Sequence, residues 1–303
     1  MKVLRFLATL ALVLAGMALL WAPAHAQMNE AAKAFTPTRF TVVDEGAASR
    51  PDVVLIPGLS SSREVWKAEA AKLAPNYRLH LVQINGFAGQ PAGPNASGAI
   101  LEPIVTELHA YIASRAMHPV VIGHSLGGLL TLMLAERYPT DVRKMVVVDA
   151  LPFYAVLFAP DATAAGAKPI AEGMKAQIMA VPAERYAAMQ PMMAAQLVND
   201  PEGRERVVAS SMASDRAVVA EAMAEDLTTD ARAGLNAIKA PVFVMYEHDT
   251  TMQQPNADAY EKTMKDSYAL LPGVHLVGFD GSRHFIMYDQ PAKFDTVLEA
   301  FLK

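Results

Sequence analysis

The chain has 303 residues, of which 26 are Lys or Arg and 31 are Asp or Glu, for a formal net charge of -5; 52% are apolar and 19% charged. That apolar share excludes a disordered polyampholyte, and the mild acidic balance gives no basic footprint for nucleic acid. The absence of cysteine excludes disulfide staples, Cys-ligated zinc, iron–sulfur clusters and a thiol nucleophile.

Residues 1–26 read as an export signal. Lys2 and Arg5 precede the uncharged run Phe6 to Trp21, and Ala24-His25-Ala26 fits a small-x-small cleavage site. Basic, apolar and small-residue regions in that order define a secretory signal peptide, with cleavage expected after Ala26 and a periplasmic or secreted product. The apolar run is shorter than the roughly 20 residues of a spanning helix. Later segments contain no second run of that kind, so a soluble mature protein without a membrane span is expected.

After it, short apolar runs alternate with helical patterns. Strands are expected at Phe40–Val43, Val53–Ile56, Leu79–Ile84, Val120–Ile122, Met145–Val148, Val242–Tyr246 and Val274–Phe279. Continuous apolar runs of this length suit strands buried on both faces of a parallel sheet. Helices are expected over Ile100–Ala116, Leu129–Tyr138, Asp258–Tyr268 and Lys293–Leu302. The alternation implies an α/β fold with a doubly wound, mostly parallel sheet, occupying 27–303. Residues 151–238 break the alternation. They are rich in Ala and Met and read as short helices separated by Pro160, Pro169, Pro182, Pro191 and Pro201. The bland reading is an ordinary helical insertion and the sharper one a cap over a pocket, with Met174, Met179, Met189, Met192 and Met193 as candidate apolar lining, although Met at helical spacing is more often core.

The most informative segment is Val120-Val121-Ile122-Gly123-His124-Ser125-Leu126-Gly127-Gly128. It places a G-x-S-x-G pattern between a β run and an amphipathic helix. A serine on so sharp a strand-to-helix turn takes a strained backbone, and Gly123 and Gly127 remove the Cβ atoms that would clash there. The hydroxyl then projects from the C-terminal edge of the sheet. The bland alternative is a serine that only caps the helix.

On these residues the chain resembles the α/β-hydrolase superfamily, in its serine esterase-like branch with a helical cap. The resemblance covers about 53–149 and 241–303, and 151–238 occupies the place where that family inserts its cap. Leu55-Ile56-Pro57-Gly58-Leu59, followed by Trp66, is similar to a second family element, although Pro57 stands where the family usually has His. Asn85-Gly86-Phe87-Ala88-Gly89-Gln90 is similar to the family's Gly-rich loop. The resemblance implies a Ser-Asp-His triad in that chain order. In that order Ser125 is the implied nucleophile. His284, in the polar turn after the last strand, is the expected base, because His275 lies inside a strand. Asp249, after the VFVMY strand, is the expected acid, with Asp149 its main rival and Glu247 and Asp280 weaker ones. The backbone amides of Leu59 and Leu126 are the implied oxyanion donors.

That machinery implies acyl transfer to water, with a small or medium apolar ester as the default substrate. Lactone, aminoterminal peptide and C–C bond hydrolysis use the same triad, and a non-catalytic ligand-binding homologue shares the fold. No cofactor or metal is implied. The sequence carries no statement of oligomeric state.

Overall fold

The computed structural model describes residues 34–251 and 256–303, so the expected export segment 1–26 lies outside the described residues. The chain divides into two units, 1–35 and 36–303, and the architecture below is that of the second.

The strands are β1 (Phe40–Glu45), β2 (Asp52–Ile56), β3 (Arg78–Ile84), β4 (Val120–His124), β5 (Lys144–Val148), β6 (Val242–His248) and β7 (His275–Asp280). They form one sheet in the order β1-β3-β2-β4-β5-β6-β7. Only β1 runs antiparallel to its neighbour; the other pairs are parallel. Val53 to Ile56, Val120 to Ile122 and Met145 to Val148 are fully buried. Both faces of the central strands are therefore covered, as their unbroken apolar runs require.

The helices that cover the sheet are α1 (Lys67–Leu73), α2 (Leu101–Ser114), α3 (Leu126–Arg137), then α4 (Ala164–Ala180), α5 (Ala183–Leu197), α6 (Pro201–Ala213) and α7 (Arg216–Thr228), and finally α8 (Ala257–Ser267) and α9 (Pro291–Leu302). Trp66, Phe279, Phe294 and Leu298 join Val53, Leu55, Val120 and Ile122 in the core beneath one face. Among the described residues, no helix is long and apolar enough to cross a membrane.

Helices α4 to α7 form the cap between β5 and β6. Two of the prolines expected to separate helices do not: Pro169 lies within α4 and Pro191 within α5. A proline there removes one backbone donor, and packing of α4 on α7 and of α5 on α6 carries the helices through it. Pro182 and Pro201 do sit at helix starts, where the missing N–H costs nothing.

The loop 85–90 fastens the cap to the core. The Ala88 N–H donates to Ser214 Oγ at 2.8 Å, and the Asp215 N–H donates to the Gly86 carbonyl at 2.7 Å. Glu225 of α7 accepts from the backbone N–H groups of Ile100 and Leu101, at 2.7 and 2.8 Å, at the start of α2.

Candidate active site

The sheet order positions the site. From β2 the chain moves outward to β3, then returns to place β4 on the other side of β2. The crevice at the carboxyl ends of two such strands is where open α/β sheets bind ligands. Strand β2 ends there in Pro57-Gly58-Leu59 and β4 ends in Ser125.

Ser125 has φ +55° and ψ -125°, and its side chain makes no capping bond to α3. The helix-cap reading of this serine therefore fails. A non-glycine residue at positive φ is strained, and tight local packing holds it. The Ser125 N–H donates to the Val148 carbonyl at 2.8 Å. A Cβ on Gly123 would stand 2.1 Å from the Gly127 carbonyl oxygen, and one on Gly127 would stand 2.4 Å from that of Ile56. No larger residue fits either flank. The Pro57-Gly58-Leu59 turn presses on the same point, since a Cβ on Gly58 would lie 2.9 Å from Ser125 Cβ.

Register places Asp149 beside this turn. His124 of β4 pairs with Val148 of β5, so the residues that follow, Ser125 and Asp149, end adjacent strands. Asp149 is buried, with φ +47°. Its Oδ2 lies 2.6 Å from His284 Nδ1. Its Oδ1 accepts from the Glu247 N–H at 2.8 Å and from the Tyr260 hydroxyl at 3.2 Å. The expected partner, Asp249, is not there. It follows β6, one strand further from β4. Asp249 Oδ2 accepts from Arg283 Nε at 2.9 Å, and Oδ1 accepts from the Thr251 N–H and hydroxyl at 2.9 and 2.6 Å. Burial alone would raise its carboxyl, but those bonds outweigh burial and hold it at about 2. Asp249 therefore anchors the turn that carries His284, and the carboxylate behind the imidazole is Asp149. The weaker rivals are placed elsewhere: Asp280 bonds His248 Nδ1 at 2.7 Å, and Glu247 offers Asp149 its backbone.

His124 is fully buried and its ring is held well below the usual imidazole range, by burial first and by the neighbouring His284 second. A neutral His124 then donates from Nε2 to the His284 carbonyl, at 3.0 Å. That bond fixes the backbone of the His284 turn, a role the sequence did not disclose. Leu126 is the first residue of α3, so its N–H has no acceptor within the helix. Among the described residues, the Leu59 N–H makes no hydrogen bond.

Ser125, His284, Asp149 and Leu59 line one cavity of about 350 Å³, which the four cap helices roof. Of the five candidate methionines, Met193 lines it and the other four do not; Met223 does. Three polar residues in it escaped the sequence reading. Tyr260 binds Asp149, and burial with that carboxyl nearby pushes its hydroxyl well above the usual range. Tyr154 is pushed up to about 12, by burial first. Asp226 is raised to about 7 by burial, with His284 pulling the other way. The signal for Asp226 was present: Val219, Met223 and Asp226 are spaced to share one helix face, which puts a carboxyl among apolar lining.

Comparison with known proteins agrees with this architecture. A model of the alpha/beta hydrolase family matches residues 53–296. The pimeloyl-[acyl-carrier protein] methyl ester esterase of Sodalis glossinidius (strain morsitans) is 30% identical over 200 residues, covering 64% of this chain and 74% of that protein. For the enzyme of the same name from Aeromonas salmonicida (strain A449), the match is 33% over 104 residues, 34% of this chain and 39% of that protein. The crystal structure of a hydrolase from Pseudomonas aeruginosa PA01 shares the fold, with a TM-score of 0.70 at 20% identity over 87% of this chain and 94% of that one.

Proposed function

Because the chain belongs to the alpha/beta hydrolase family, we propose that it is a serine hydrolase whose triad is Ser125, His284 and Asp149, acting on carboxylic esters. The observation that carries this reading is the 2.6 Å contact between His284 Nδ1 and Asp149 Oδ2, in the cavity that also holds the strained Ser125. The esterases among the relatives support ester hydrolysis as the reaction.

In this mechanism Ser125 Oγ attacks the ester carbonyl and His284 Nε2 takes its proton. Asp149 holds the Nδ1 tautomer and stabilises the imidazolium. The other two donors on Asp149, the Glu247 N–H and the Tyr260 hydroxyl, keep its carboxylate oriented. The Leu59 and Leu126 amides receive the oxyanion, each worth about 10²–10³ in rate. His284 returns the proton to the leaving alcohol. Water, activated by the same imidazole, then frees the acid from Ser125. The test is hydrolysis of short p-nitrophenyl esters: wild type turns them over, and Ser125→Ala and Asp149→Asn lose the reaction. A wild type inert towards esters, lactones and amides alike replaces this reading with a ligand binder.

We also propose that the chain is exported, on the Lys2/Arg5, Phe6 to Trp21 and Ala24-His25-Ala26 pattern. The intact mass of the secreted protein checks it, since cleavage after Ala26 leaves Gln27 as the first residue.

A further inference from the structure

His124 precedes Ser125 in the chain, and its buried imidazole touches the segments that carry the base and the oxyanion turn. Its ring centroid lies 4.7 Å from that of His284 and 4.6 Å from that of Phe285, and Trp66 meets it edge to face at 6.5 Å. Nε2 is 3.0 Å from the His284 carbonyl. Nδ1 is buried and, among the described residues, has no hydrogen-bond partner. It faces Gly58, in the turn that carries Leu59, where a Cβ would stand 3.0 Å from it. A proton on Nδ1 would be a buried donor without an acceptor, which is costly. The carbonyl can only accept, so the proton of the neutral ring belongs on Nε2. Asp149 holds His284 at Nδ1, a contact that fixes the tautomer and leaves the ring free to tilt about it. The bond from His124 grips the same residue at its backbone. It runs from the chain neighbour of the nucleophile to the residue that carries the base, so a single side chain ties the two together.

We propose that His124 is a positioning residue, which aims His284 Nε2 at Ser125 Oγ through its own Nε2–H bond to the His284 carbonyl. The inference rests on the serine hydrolase reading and deepens it, since the tautomer of a residue outside the triad becomes a condition of the rate.

The experiment measures kcat and KM on a p-nitrophenyl ester, with thermal midpoints alongside, for wild type and for His124→Gln, His124→Asn and His124→Phe. Gln places an amide N–H near the Nε2 position and keeps the donor. Asn is too short to reach the carbonyl, and Phe keeps a ring without the donor. A loss of about 10²-fold in kcat, with KM changed by less than about threefold, is expected of His124→Asn and His124→Phe, since a slightly misaimed catalytic group costs that much in rate, while His124→Gln is expected to stay within about fivefold of wild type. That order should not follow the thermal midpoints. His124→Phe as fast as His124→Gln, or faster, would make the ring a packing element and overturn the proposal. Heteronuclear NMR of the imidazole nitrogens of wild type at neutral pH gives a reading that needs no variant to fold. A neutral His124 protonated on Nε2 is expected, and a ring protonated on Nδ1 or on both nitrogens overturns the proposal. Wild type inert towards esters rejects the hydrolase reading and the proposal with it. An active wild type whose rate His124→Asn and His124→Phe leave unmoved rejects the positioning role alone.

Discussion

His284 reaches back across 135 residues of chain to set its Nδ1 2.6 Å from Asp149 Oδ2. Asp249, which the strand pattern favoured, is bound to Arg283 at 2.9 Å, one residue before that histidine. The two aspartates thus serve the same turn in different ways, one behind the imidazole and one behind its neighbour.

Kinetics distinguish them. Asp149→Asn is expected to lower kcat/KM for a p-nitrophenyl ester by about 10³–10⁴, because the imidazole loses the partner that fixes its tautomer. Asp249→Asn is expected to lower it by less than about tenfold, since no reacting atom is touched. The opposite order would return the acid role to Asp249.

Acid stability reports on Asp249. Its folded carboxyl lies at about 2, below the ordinary 3.8. A depressed carboxyl contributes stability above about pH 4 and loses it as the pH falls towards 2. Thermal melts from pH 7 to pH 2 are expected to show Asp249→Asn below wild type at neutral pH. The gap should close on acidification, and a gap that widens instead would contradict this account.

Glu247 has the opposite sign. Burial, then the nearby Asp149 and Asp249, raise its carboxyl from 4.5 to about 9, with Arg283 opposing and Asp289 adding to the rise. Stability tied to a raised carboxyl is complete below about pH 4.5 and is lost as the pH climbs through 9. Glu247→Gln, which cannot ionise, is expected to raise the melting temperature at pH 8 to 9 and to match wild type near pH 4. The stabilisation should be about 1–3 kcal/mol at the alkaline end.

The elbow is a steric claim. In Gly127→Ala the new methyl would stand 2.4 Å from the Ile56 carbonyl oxygen and 2.7 Å from that of Pro57. Neither backbone can retreat without moving β2, so a loss of about 3 kcal/mol or more is expected, read as a lower denaturant midpoint or as failure to fold. A variant with wild-type stability would show that the turn is looser than described.

These differences mark what a one-dimensional reading can carry. The strands were legible because their apolar runs are short, continuous and bounded, as in Val53–Ile56 and Met145–Val148. Ser125 was legible because the strain at its φ demands glycine at fixed offsets. The carboxylate behind the His284 imidazole was not, because Asp149 and Asp249 both follow apolar strands and chain order allows either. What separates them is tertiary: the adjacency of β4 and β5, and an Arg283 side chain that occupies Asp249. Pro169 and Pro191 misled for a related reason, since helix packing overrides the local break that proline encodes. Asp226 went unread although its spacing from Val219 and Met223 placed it on a lining face.

The central claim is that Ser125 is an activated nucleophile. It is tested most directly by treating the purified protein with a fluorophosphonate and locating the adduct by peptide mass spectrometry. The account predicts a single covalent adduct on Ser125, absent from Ser125→Ala and strongly slowed in His284→Ala. An unlabelled wild type, or an adduct on another residue, would contradict it.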